Sequence, residues 1–258
     1  MTSKLKENLF KNKSIFGLIG LCIVISIISP RFLSVANLRN VFTQISVNAV
    51  IAMGMTFVIL TGGIDLSVGS IVAISGALSA ALIKSTGSIW IGLLSAVLIG
   101  AVVGLINGLV ISKGKLQAFI ATLATQTIFR GITYVFTGGN PISGLTDELI
   151  ILANSRILGI PVLVIVTIIV LIICAYLLNQ TKYGRYIYAV GGNEDSSRLS
   201  GINVDKIKIL VYVISGIASG IAGAIVMSRI GSAAPTAGNG YELNAIGAIV
   251  IGGTNLNG

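Results

Sequence analysis

Apolar runs of about twenty residues, the length an α-helix needs to cross a hydrocarbon core, recur along nearly the whole chain. Few folds suit such a chain. In a bilayer each run satisfies its own backbone hydrogen bonds by coiling into a helix. The runs are continuous rather than short and alternating, which argues for helices and against an outer-membrane barrel. Composition agrees: 54% of the 258 residues are hydrophobic and 10% are charged, against roughly 25% charged in a soluble domain. Mean hydropathy is +0.98. The expected fold class is therefore all-α, a polytopic transmembrane helical bundle forming a single domain over residues 1–258. Spans are expected near residues 15–29, 41–61, 64–83, 89–111, 116–136, 159–178 and 209–228, with a further apolar stretch from Leu243.

The first run follows the basic residues Lys4, Lys6, Lys11 and Lys13, an arrangement shared with signal peptides. Ser29-Pro30-Arg31 come next instead of a small-residue cleavage pattern, so the run reads as an uncleaved span, extending back toward Asn8. The net charge of +9 would suggest nucleic acid in a soluble protein. No basic patch interleaved with aromatics is present, so no nucleic-acid partner is expected. The excess falls in alternate loops instead. With the N-terminus inside, the cytoplasmic segments also hold Lys113, Lys115, Lys182, Arg185, Arg198, Lys206 and Lys208. The opposite side keeps Arg31, Arg39, Lys84, Arg156 and Arg229, with Asp147 and Glu148 in its longest loop. That asymmetry predicts an N-in, multi-pass topology. Cys22 and Cys174 lie inside apolar runs and read as small buried hydrophobes. The chain has no His, which removes the usual zinc sites and imidazole acid–base chemistry.

Gly100, Gly104 and Gly108 recur every fourth residue, and Gly216, Gly220 and Gly223 do nearly so. Such smooth faces let helices approach closely, and a pore or gate lining is the alternative use. Three segments carry more polar chemistry. In Thr61-Gly-Gly-Ile-Asp-Leu-Ser-Val-Gly-Ser70, two glycines break an apolar run and Asp65 stands where the next helix begins. Asp65 is a candidate N-cap. The functional reading is a broken span lining a path, with Gly63, Asp65 and Ser67 as candidates. Gln44 and Asn48 are four apart and share a helix face, as do Thr122, Gln126 and Arg130, with Thr133 nearby. The amides and hydroxyls of these stripes suit a neutral polyhydroxylated substrate, which makes Gln44, Asn48, Gln126 and Arg130 candidates for lining its path. They equally glue helices together, and Arg130 could snorkel to an interface.

The third segment, residues 180–208, is hydrophilic. Asn193 suits an N-cap, Glu194 and Asp195 a first helical turn, and Gly201 a left-handed terminus, which predicts a short helix over 194–200. The Gly191-Gly192 pair reads as a break before it. Helix connections usually run about 2–8 residues, so this longer loop reads as a docking surface for a cytoplasmic partner.

These segments are where a resemblance appears. GGIDLSVGS at 62–70, GRYIYAVGGNEDSSRLSGINV at 184–204 and YELNAIGAIVIGGTNLNG at 241–258 resemble, in order and position, the permease family of ribose-type and related simple-sugar ABC transporters. The resemblance covers nearly the whole chain. It implies a permease subunit in the bacterial plasma (inner) membrane that moves a small sugar, ribose or a related monosaccharide. It also implies a second permease chain, two cytoplasmic ATPase subunits and an extracytoplasmic sugar-binding protein. The coupling element would contain Gly184, Arg185, Ala189, Gly191, Gly192, Asn193, Ser200 and Gly201. ATP and Mg would be held by the ATPase, with no cofactor on this chain. In keeping with that, no G-x-x-x-x-G-K-[ST] sequence occurs; Gly114-Lys115 is followed by Leu116. Family members continue through further membrane segments, whereas this chain stops at Gly258, so it is expected to be shortened relative to them. An ion-gradient-driven transporter is the alternative, with Asp65 and Glu242 as its candidate carboxylates. A membrane enzyme would need a nucleophile–base pair or a metal cluster, and neither is visible.

Overall fold

The computed structural model describes residues 13–255, with side chains from Phe16 onward. The expected extension of the first span toward Asn8, and the basic residues Lys4, Lys6 and Lys11, lie outside the described residues. Contacts divide the chain into two units, residues 1–44 and 45–258. In the first, α1 (Lys13–Ile28) has 16 residues, short of the roughly 20 that cross a bilayer upright. A tight turn through Pro30 leads to α2 (Val35–Ile59). Ser34 Oγ caps it by accepting the Asn37 N–H at 3.3 Å, while Asn37 Nδ2 donates to the Phe32 carbonyl at 2.8 Å.

The second unit holds the rest of α2, then α3 (Val68–Thr86), α4 (Ile89–Ser112), α5 (Ala118–Thr137) and α6 (Asp147–Asn154). A two-residue hairpin follows, β1 (Arg156–Ile157) with β2 (Ile160–Pro161). Then come α7 (Val162–Gln180), α8 (Lys182–Gly192), α9 (Glu194–Leu199), α10 (Val204–Ile230) and α11 (Tyr241–Ile251). The fold is all-α and polytopic. Among the described residues, α2, α3, α4, α7 and α10 are the helices long and apolar enough to cross a membrane. The expected span 116–136 forms as α5, but its polar side chains keep it below that hydropathy. It nevertheless runs from one end of the unit to the other. Ala118 lies with Gly62, Lys115 and Glu194 around a cavity at one end. At the other end Ile142 bridges Ala233, and Lys84 Nζ donates to the Ser143 carbonyl at 3.0 Å.

In lipid, helices gain nothing from hiding apolar surface from each other, so close packing must hold them. The glycine stripes supply it. Along α4 and α10, Gly108 meets Ile209, Gly104 meets the Tyr212 carbonyl, Gly100 meets Gly216, and Ala96 meets Gly220. The two helices are antiparallel, backbone on backbone, and an added Cβ at any of these glycines overlaps main-chain atoms. Gly223 meets Ser75 and the Val72 carbonyl of α3 in the same way.

The spans expected to start at 41 and 209 begin earlier, at Val35 and Val204, and the boundaries around the polar segments differ as well. The span placed at 64–83 begins helically only at Val68, because residues 60–67 are turn and extended chain. Gly191 and Gly192 do not break a helix: α8 continues through both, and the break falls at Asn193, whose φ is −163°. Glycine is merely unfavourable inside a helix, by about 1 kcal/mol relative to alanine, and packing overrides that here. The stretch from Leu243 forms α11, which has 11 residues, too few to span.

Candidate functional site

Two non-helical segments enter the second unit, and the polar side chains of neighbouring helices are organised around them. The first is the connection between α2 and α3. Gly62, at φ 73°, ends α2 in the left-handed conformation that glycine adopts without a Cβ penalty. Its N–H donates to the Ile59 carbonyl and the Gly63 N–H to the Val58 carbonyl, so the last carbonyls of α2 are satisfied. Gly63 serves a different need: a Cβ there would press on Tyr212 Oη and Val58.

Beyond it the Ile64 carbonyl has no helical partner. It accepts from Tyr212 Oη at 3.3 Å and Thr122 Oγ1 at 3.4 Å, as irregular backbone at depth requires. Asp65 follows, fully buried. Its Oδ1 accepts the Ser67 N–H at 3.0 Å and the Ser67 hydroxyl at 2.6 Å, and its Oδ2 accepts the Ser215 hydroxyl of α10 at 2.7 Å. Asn107 Nδ2 of α4 donates to Ser67 Oγ at 2.8 Å. The N-cap position of α3 belongs to Ser67 rather than to Asp65. Asp65 stands two residues earlier and acts as a hub joining α3 directly to α10 and, through Ser67, to α4. A carboxyl group held by three donors is well compensated for its burial.

The second segment runs from Gly231 to Gly240, between α10 and α11. It bends back so that Gly238 (φ 75°) lies backbone-on-backbone against Gly69 in the first turn of α3. Arg130 of α5 ties it down, with Nη1 donating to the Pro235 carbonyl at 2.6 Å and the Ala237 carbonyl at 2.7 Å. The guanidinium is therefore turned inward and does not snorkel. One turn earlier, Gln126 Nε2 donates to Glu242 Oε1 of α11 at 3.3 Å. Glu242 Oε2 and Arg130 Nη2 are buried side-chain atoms without a hydrogen-bond partner, as is Asn48 Oδ1 of α2.

At the opposite end a cavity of about 710 Å³ is floored by Thr61, Gly62, Gly63 and Tyr212 and rimmed by Lys115, Glu194, Arg198 and Lys208. Here lies the capped helix. Asn193 Oδ1 accepts the Ser196 N–H at 2.7 Å, and Glu194 and Asp195 fill the first turn of α9. Gly201, at φ 82°, closes it: its N–H donates to the Arg198 carbonyl and that of Ile202 to the Ser197 carbonyl. Salt bridges strap α9 to α10: Lys208–Glu194 at 2.6 Å, Arg198–Asp205 at 3.2 Å and Arg198–Glu194 at 3.3 Å. The bond from Lys208, with a smaller contribution from Arg198, holds the Glu194 carboxyl below its ordinary range. The other side of α9 is open, and Leu199 is 90% exposed. Before it, Thr181 Oγ1 accepts the Gly184 N–H at 3.3 Å and starts α8. Gly184 is obligatory there, because a Cβ would overlap the Leu178 carbonyl.

The candidate residues thus fall into distinct places. Gly63 lines the cavity, while Asp65 and Ser67 are sealed in the hub. Gln126 and Arg130 meet at the second non-helical segment. Gln44, in the first unit, is exposed, and Asn48, in the second, is half-buried. Arg185, Gly192, Asn193, Ser200 and Gly201 are exposed, Ala189 and Gly191 are half-buried, and Gly184 is buried. Sequence reasoning did not find Asn107, Tyr212 or Ser215 as hub residues, and it named Glu242 only as a membrane carboxylate. A polar residue in an otherwise apolar span was the available signal for each.

With this geometry established, comparison with known proteins is informative. The family model described as the permease component of the branched-chain amino acid transport system matches residues 37–258. The ribose import permease protein of Haemophilus influenzae is 50% identical over 254 residues, 97% of this chain and 79% of that protein. The ribose import permease protein of Escherichia coli K12 is 46% identical over 257 residues, 98% of this chain and 80% of that protein. The L-arabinose transport system permease protein of the same strain is 41% identical over 239 residues, 92% of this chain and 73% of that protein. No solved structure matches. The fold and its broken, polar-lined helices define a multi-pass membrane transporter subunit. The chain belongs to the permease family of ribose-type ABC transporters.

Proposed function

We propose that the chain is the membrane-spanning subunit of an importer driven by ATP hydrolysed on a separate subunit, and that its cargo is a neutral monosaccharide, ribose first. The relatives named for ribose stand at 46–50% identity, above those named for arabinose at 41% and allose at 40%, which supports ribose ahead of other pentoses and hexoses. The N-terminus lies in the cytoplasm. That orientation puts Lys115, Arg198 and Lys208, which ring the cavity, on the side where basic residues accumulate. Two permease chains pair with two ATPase subunits, a sugar-binding protein delivers cargo outside, and ATP and Mg reside on the ATPase.

The observation that carries this reading is α9. A six-residue helix, capped at both ends and salt-bridged to α10, presents Leu199 to solvent at the basic end. A connector needs none of this, whereas a docking element needs a rigid apolar knob. Gly184, Arg185, Ala189, Gly191, Gly192, Asn193, Ser200 and Gly201 shape and flank that surface. Arg130, Asn48 and Glu242 serve the sugar path, because each has an unpartnered atom that offers a hydrogen bond to hydroxyls, and Gln126 serves it by holding Glu242. Gly63 belongs to the same path at another level, and Asp65 and Ser67 hold its broken span.

The test is co-purification of the tagged chain with the ATPase encoded beside it. Association is expected, and it is expected to vanish on deleting residues 193–200 or on Gly201→Val, which forces a β-branched side chain to a φ of 82°. A folded chain that never associates overturns the reading. Glu242, a half-buried carboxylate that accepts from Gln126, favours one rival, transport coupled to protons or sodium. Uptake that collapses with the ion gradient, at constant ATP, would select it.

A further inference from the structure

One face of α10 links the docking helix to the broken span. Lys208, Tyr212, Ser215 and Ser219 follow at intervals of four, three and four, which keeps them on a single stripe. Lys208 Nζ bonds Glu194 of α9 at 2.6 Å. One turn further on, Tyr212 Oη donates to the Ile64 carbonyl at 3.3 Å. At the next position Ser215 Oγ donates to Asp65 at 2.7 Å. An adjacent face of α10 is clamped to α4 along the glycine seam, and α4 reaches the same hub through Asn107. We propose that Lys208, Tyr212 and Ser215 are positioning residues that carry movement of α9 through α10 to the Ile64–Asp65 segment, so that docking events outside the membrane shift the floor of the cavity.

Three features support a rod rather than a chance row. The seam leaves α10 and α4 no room to bend separately, because any widening would lose backbone contacts at Gly100, Gly104 and Gly108 together. Both ends of the row are bonded to groups that are not helical main chain, a docking helix at one end and a carboxylate with an orphan carbonyl at the other. Between them Tyr212 touches Gly63, a wall of the cavity. A rigid element with a bond at each end can bias two sites at once, which is the physical content of coupling.

The inference rests on the importer reading, and its test separates the two. The full assembly of permease, ATPase and sugar-binding protein is reconstituted in proteoliposomes, and radiolabelled ribose imported per ATP hydrolysed is measured. Ser215→Ala and Tyr212→Phe are each expected to leave assembly and hydrolysis within about twofold while ribose per ATP falls about fivefold or more, the range of ordinary site-to-site coupling. Lys208→Met, which also loosens the α9 strap, is expected to lower ribose per ATP as far in the assemblies that form. Lys208→Arg is expected to restore it. Ser219→Ala is the control: the same change on the same stripe, at a hydroxyl that bonds only the Ser215 carbonyl of its own helix, leaves the ratio unchanged.

An unchanged ratio in all three variants overturns the inference. So does a fall in Ser219→Ala equal to that in Ser215→Ala, or a loss of hydrolysis and uptake in equal proportion without rescue by Lys208→Arg. If the native assembly imports no ribose on ATP, the importer reading itself fails and takes the inference with it.

Discussion

The two non-helical segments are neighbours, the second resting by Gly238 against Gly69 in the helical turn that follows the first, yet they are finished differently. Around Asp65 both carboxylate oxygens are bonded, the orphan Ile64 carbonyl has two donors, and Asp65, Ser67 and Asn107 are all sealed from solvent. Around residues 231–240 the polar groups are only half used: Arg130 Nη2 and Glu242 Oε2 are buried without partners. A buried group left unbonded costs about 1–3 kcal/mol, and at this segment a guanidinium nitrogen and a carboxylate oxygen are both in that state. The first segment is a joint whose carboxylate is fully bonded, although the Asn107 amide oxygen beside it is also buried without a partner. The second keeps hydrogen-bonding capacity in reserve, which is what a site for a passing polyol needs.

The largest effect is expected at the joint. Asp65→Ala strands the Ser67 N–H, the Ser67 hydroxyl and the Ser215 hydroxyl together, costing roughly 3 kcal/mol or more, read as a lowered thermal midpoint in detergent. Asp65→Asn keeps an acceptor for Ser67 and lets the Ser215 hydroxyl turn, so about 1 kcal/mol is expected. Equal losses in the two variants would mean that charge, not bonding, holds the joint. Next comes the contact between the segments. Gly238→Ala meets the Gly69 backbone as well as a φ of 75°, for about 2–3 kcal/mol. Gly240→Ala, at φ 78° but in open space, is expected to cost only about 1 kcal/mol.

A smaller effect falls on function alone. Glu242→Gln should barely move the thermal midpoint while weakening ribose uptake about tenfold, equivalent to about 1.4 kcal/mol of binding. A large stability loss instead would erase the distinction between joint and site. The smallest effect is on pH. Glu194 titrates below its ordinary value of 4.5 in the fold, so the α9–α10 strap is intact above that pH and is lost as pH falls through the lowered value. Its exposure keeps the contribution small. Protease clipping of residues 193–203, compared at pH 7 and in acid, should rise only in acid.

What the sequence disclosed follows the range of the interactions. The caps of α9 were legible because Asn193 bonds Ser196, three residues away, and Gly201 bonds Arg198. The glycine seam was legible as spacing, since close approach demands small residues on one face. The hub was not. Ser215 lies 150 residues from Asp65 and Asn107 lies 40 from Ser67, and a lone serine or asparagine in an apolar span does not name its partner. The same limit explains the misplaced N-cap. Asp65 and Ser67 both suit a helix start, and only the bonds from α10 and α4 decide between them.

Uptake of radiolabelled ribose into proteoliposomes holding the chain, the ATPase encoded beside it and the sugar-binding protein tests the transport reading most directly. With ATP on the ATPase side and ionophores collapsing every ion gradient, accumulation is expected to continue and to stop when ATP is replaced by a non-hydrolysable analogue. Accumulation that follows a proton or sodium gradient and ignores ATP would contradict it.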